Sequence, residues 1–80
     1  MILKVYSVHD RKAQIFNRPF FDSNEVFARR NFERALNDPD SMFASYPNDF
    51  ELVCLGEFDD LTGKITMLDI PRLVDVKRGE

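Results

Sequence analysis

Leu3 and Val5 flank Lys4 within Ile2 to Val8, a β-branched and aromatic run without a breaker, and this alternation predicts a half-buried strand. His9 to Lys12 is polar enough for a turn, after which Ala13 to Phe16 reads as a second short strand or an extended arm. Pro19 disfavours a helical Arg18, so Asn17 to Phe21 reads as a loop. The apolar spacing then becomes helical. Asp22 and Glu25 have the N-cap and N3 spacing of a capping box, which starts a helix over Ser23 to Asn37. Ala28, Phe32, Ala35 and Leu36 fall on one face of it, with Arg29, Arg30 and Arg34 mostly off that stripe. Asp38 followed by Pro39 predicts an N-cap and N1 for a short second helix through Met42, Phe43 and Ala44, stopped by Pro47.

Alternation returns at Phe50, Leu52 and Cys54, against Glu51 and Val53, and continues to Phe58 as the clearest strand in the chain. Gly56 inside it marks a bulge or a close approach of another backbone. Asp59 to Gly63 reads as a hairpin connection with Lys64 to Leu68 returning, and Pro71 opens a last strand, Arg72 to Val76, at a sheet edge. Lys77 to Glu80 is a polar tail expected to fray. The order of elements predicts an α+β fold, a small mostly antiparallel sheet carrying one main helix and a short second helix. A small β-barrel decorated by the helix is the alternative.

Eighty residues support one core, so 1–80 is read as a single domain. Hydrophobic residues at 44% with eight Phe place the chain among folding sequences despite 31% charged residues. The lone Cys54 closes no intrachain disulfide, and no charged-then-apolar leader opens the chain; both predict a reducing cytoplasm. No apolar run approaches the length of a membrane span.

The net charge of −3 hides an asymmetry. Residues 1–36 hold seven Lys/Arg against four acids, whereas residues 37–80 hold four against ten. A basic side facing phosphate is one reading of this, and plain solvation of both halves is the other.

Catalysis finds little support, and no enzyme is expected. His9 beside Asp10 is poorly placed as a base with its orienter, because neighbouring strand residues point to opposite faces; it reads as a solvated turn residue. Cys54 falls on the apolar face as a core thiol. Asp59 and Asp60 are explained by turn chemistry without a metal, zinc lacks Cys/His ligands, and no glycine-rich phosphate loop is present. No cofactor is expected. Single-stranded nucleic acid is held by cationic grooves with aromatic faces for base stacking, and the first half supplies both. The candidates are Lys4, Tyr6, Arg11, Lys12, Phe16, Arg18, Phe20, Phe21, Arg29, Arg30 and Arg34. Phe20 and Phe21 either stack on bases, anchor their loop in the core or form a protein interface.

Several short motifs occur in order: Asp10-x-Lys12-Ala13, Pro19-Phe20-Phe21, Asn37-Asp38-Pro39-x-Ser41, Pro47-x-Asp49-Phe50-x-Leu52, Leu55-Gly56-x-Phe58-Asp59 and Thr62-Gly63. In this the chain resembles the small nonstructural protein of gokushoviruses, the Microviridae branch of tailless single-stranded-DNA phages. The likeness spans Leu3 to Gly63 and weakens after Lys64. It implies a viral protein of DNA replication in the host bacterial cytoplasm, one that binds single-stranded DNA or turns synthesis from duplex replication toward single-stranded genomes. It supplies no catalytic residue. The alternative is a protein-interaction module that docks on the phage initiator, the procapsid or a host replication protein. A homodimer is expected from the apolar content and the edge strand after Pro71.

Overall fold

A computed structural model describes residues 1–76. Its elements are β1 (Ile2–Asp10), β2 (Ile15–Phe16), β3 (Phe20–Asp22), α1 (Glu25–Asn37), a 3-10 turn (Pro47–Asp49), β4 (Phe50–Asp59) and β5 (Lys64–Val76). Every strand pair is antiparallel. β4 lies between β1 and β5, and β2 and β3 both pair with the far side of β1. The sheet curls into a half-barrel without closing, and α1 packs on one face. The architecture is therefore α+β, and the closed-barrel alternative is set aside.

The core follows from the two periodicities. Tyr6 and Val8 of β1, with Phe50, Leu52 and Cys54 of β4, point to the same face and meet Ala28, Phe32 and Leu36 of α1. Val74 of β5 completes the cluster, and Phe20 and Phe43 pack at its margin. Cys54 is a buried thiol, as its alternation predicts. Ala35, the fourth residue of the expected helical stripe, is half-buried at the edge of a cleft.

Gly56 is required by packing. A Cβ there would lie 2.2 Å from the Thr66 carbonyl oxygen and 2.9 Å from Met67 Cα, so its absence lets β5 close on β4. Both expectations for this glycine hold, because the β4–β5 register also shifts between Cys54 and Gly56.

Several elements differ from expectation, each for a local reason. The helix is capped by Asn24, whose Oδ1 accepts from the Phe27 amide at 3.1 Å. Asp22 is instead committed to β3 opposite Lys4, and Glu25 bonds Arg29 and Arg72 rather than reaching back to a cap. The expected loop at Asn17–Phe21 becomes strand from Phe20, because β1 offers an unpaired edge to which Phe20, Phe21 and Asp22 bond. No second helix forms over 39–44. Asp38 Oδ1 accepts from the Asp40 amide at 3.0 Å and Ser41 Oγ from the Phe43 amide at 3.0 Å, side-chain bonds that compete with helix formation. Pro47 starts the 3-10 turn rather than stopping a helix; it has no N–H to lose at that position. The two expected strands after Gly63 are one, Lys64–Val76, with Leu68 to Pro71 bulging out between the pairs Gly56–Met67 and Cys54–Arg72. His9 lies within β1 rather than in a turn, half-buried with Nδ1 2.8 Å from Glu51 Oε2. The tail expected to fray lies outside the described residues.

Candidate functional site

A cleft of about 350 Å³ opens where the β1–β3 connection, α1 and the segment after α1 meet. Val8, Phe20, Phe32, Ala35 and Phe43 make its apolar floor, and Asn17, Arg18 and Asn31 add polar groups.

The walls are fixed by specific bonds. Ser7 is fully buried, and its hydroxyl donates to the Asn17 carbonyl at 2.7 Å. The Asn17 backbone amide donates to Val8 O at 2.9 Å, and its side-chain amide donates to the same oxygen at 3.1 Å. These bonds pin the chain onto β1 just before Arg18 and Pro19. Phe20 then pairs opposite Tyr6 and stacks on it with centroids 5.7 Å apart. Opposite, Phe43 meets Phe50 edge-on at 4.8 Å. On the helix, Asn31 donates to Asp22 Oδ2 at 3.1 Å, tying α1 to β3 at the cleft.

Arg34 follows Asn31 by three residues, so its exposed guanidinium neighbours the helix wall of this opening, whereas the exposed Arg30, one residue before Asn31, points to another side of α1. Neither makes an ion pair among the described residues, and nor does Arg18.

The remaining sequence candidates disperse. Tyr6 is fully buried and offers no face for stacking; burial pushes its phenol above the ordinary tyrosine value, with Cys54 and Glu25 adding to the shift. Lys4 pairs with Glu57 at 2.6 Å. Arg29 is held by Glu25 at 3.1 Å and donates to Val74 O at 3.3 Å. The β1–β2 turn carries Arg11 and Lys12 away from the cleft. Asp10 Oδ1 fixes that turn by accepting from the amides of Lys12 and Ala13 at 2.9 and 3.0 Å, and the Arg11 guanidinium bonds the Asn48 carbonyl. Phe16 and Phe21 lie on the sheet face opposite α1, where Phe16 packs on His9 and Phe21 on Phe58. Of the eleven candidates, the structure thus gathers Arg18 and Phe20 into the cleft, with Arg34 beside it and Arg30 on another side of α1.

Sequence reasoning missed Asn17, Asn31 and Phe43. Asn31 had a signal: asparagine is a poor interior helix residue, and here it is retained with a bond to another element. Asn17 and Phe43 had none, since their roles depend on which strand and turn lie opposite. Electrostatically, the sequence asymmetry is partly cancelled where Lys4 of the basic half pairs with Glu57 of the acidic one. Among the described residues, no group of three His, Cys, Asp or Glu stands ready for a metal, and no helix is long and apolar enough to cross a membrane.

The fold and cleft define a small α+β protein with an apolar-floored, cation-flanked recess. The family described as Phage ORF5 protein matches residues 3–78, and the chain belongs to that family. It is a phage protein. Neither the curated proteins nor the solved structures compared give a match.

Proposed function

We propose that the protein is a non-catalytic factor of viral DNA replication in the host cytoplasm that binds single-stranded DNA at the Arg18–Phe20 cleft. The observation that carries this reading is the convergence of an aromatic and aliphatic floor with Arg18, Asn17 and Asn31, beside the exposed Arg34. Single strands are held by such pairings of cations with aromatic faces, the cations neutralising phosphate and the rings accepting an unstacked base. Double-stranded DNA offers no free base to a recess of this kind. Membership of a phage family and the resemblance to the gokushovirus nonstructural protein both support a role in the phage's own DNA transactions. The replication switch from duplex to single-stranded synthesis is the process such a factor would serve.

Binding of a fluorescent oligonucleotide across a salt series tests the reading. For two phosphate contacts through Arg18 and Arg34, the log–log slope of affinity against salt is about −1.4. Charge reversal at Arg18 and Arg34 flattens it, because fewer counterions are released. Phe20→Ala weakens binding with little change of slope, because stacking contributes about 1–3 kcal/mol per base without electrostatics. Arg29→Glu changes the slope least, since Arg29 is already held by Glu25. No binding to any single strand at low salt removes this reading and leaves the protein-docking module.

A further inference from the structure

Among the described residues, no helix or second sheet covers the sheet face opposite α1. Directly opposed residues in antiparallel strands share a face, so the register defines three rows on it. Leu3, Phe58 and Ile65 form one row, Phe21, Val5, Gly56 and Met67 the next, and Ser7, Val53 and Leu73 the third. Phe16 extends the surface beyond His9. Val5 and Val53 are buried beneath their neighbours, but Phe16 (46%), Phe21 (47%), Ile65 (52%), Met67 (54%) and Leu73 (56%) each leave about half of the side chain in water.

We infer that this face pairs with the same face of a second copy, forming a two-sheet sandwich with α1 of each copy on the outside. Area favours this occupant. Five large side chains, each about half exposed, present about 500 Å² together, near the upper end of the largest apolar patch on a typical monomer. Two copies face to face remove about 1,000 Å² from these residues alone, the size at which specific interfaces begin. Charge agrees. Among the described residues, the ionisable side chains that the register places on this face are His9 and Glu51, and they bond one another at 2.8 Å, so these residues ask for no oppositely charged partner and the face is complementary to itself. Apolar sheets pack at about 10 Å with interdigitated side chains, and two-fold symmetry brings identical rows together.

The edge of β5 is a poorer route to the same association. Leu68 to Pro71 bulges out of its middle, with Ile70 79% exposed. Asp69 and Pro71 sit in that bulge, and charges, prolines and bulges are the features that discourage edge-to-edge pairing.

Light scattering on a sizing column at high micromolar concentration tests the inference, with circular dichroism confirming that each variant is folded. The wild type is expected at twice its 9.4 kDa chain mass. Met67→Glu and Leu73→Glu, each in an exposed position on the face, are expected at the mass of one chain. Ile70→Lys, in the bulge, is expected to remain at two. A one-chain mass for the wild type overturns the inference, whether or not the chain then binds another protein. So do folded Met67→Glu and Leu73→Glu variants that keep the two-chain mass, or an Ile70→Lys variant that loses it. Should one face variant fail to fold, the other and the wild-type mass still decide.

Discussion

Tyr6 shows how one side chain is turned from a surface candidate into a core residue. Its ring stacks on Phe20 in the cluster beneath α1, and burial raises its phenol above the ordinary value. A phenol whose folded value is raised stabilises the protein fully below the unfolded value, about 10, and that contribution is lost as pH rises through the folded value. Denaturant melts at about pH 8 and about pH 11 should therefore show a loss of stability in the wild type that is smaller in Tyr6→Phe. An equal loss in both proteins would assign the alkaline weakness to other groups. The same residue explains why composition misleads about stacking: an aromatic in a strand goes wherever its neighbours place apolar surface, and here Val8, Leu52 and Cys54 share its face.

Among the elements, the start of α1 shows a cap moved by tertiary structure, since the capping-box spacing points to Asp22 and the observed cap is Asn24. Asp22 and Asn24 are both N-cap residue types. The choice belongs to β1, which captures Asp22 as the end of β3 and leaves Asn24 in an extended conformation (φ −154°, ψ 165°) at the helix entrance. Asn24→Ala should cost about 1 kcal/mol, lowering the melting temperature by about 4–8 °C in a domain of this size. Asp22→Ala should cost less, since it leaves the Phe27 amide bonded and removes only exposed bonds, from the Ser23 amide and from Asn31. The reverse order in thermal melts would restore Asp22 as the cap. Turns behave more simply. Asp59 Oδ1 accepts from the Leu61 amide at 2.9 Å, and Gly63 takes the positive φ of 77° that closes the hairpin; both residues are turn formers wherever they occur.

For the whole molecule, the helix covers one face of the sheet and leaves the other in water, so the fold has an internal core and an unpaired apolar layer. If that layer is closed by a second copy, folding and association are linked by mass action. Apparent stability should rise by about 1.4 kcal per mole of dimer for each tenfold increase in protein concentration. Thermal melts across a hundredfold dilution check this, and a flat melting temperature would speak for a stable monomer. The proposed DNA cleft lies on the other side of the sheet, beside α1, so pairing through the open face leaves it accessible. The Met67→Glu variant should then lose association while retaining the salt-dependent binding of a single strand.

The amino-acid sequence by itself determined the local features whose causes are local. The alternation of Ile2 to Val8 and of Phe50 to Phe58 made strands, the spacing of Ala28, Phe32 and Leu36 faced α1 to the core, and Asp59 to Gly63 made the hairpin. Both the α+β class and the need for Gly56 were readable from such patterns. Tertiary structure decided whatever depended on a distant partner. It made Phe20 to Asp22 a strand, because β1 had an edge to pair, and placed Phe21 in the open while burying part of Phe20 against Tyr6. It also split the eleven basic and aromatic candidates between cleft, turn, core and open face. Successive strand residues point to opposite faces, and a list of residue types carries no record of which face a helix will cover.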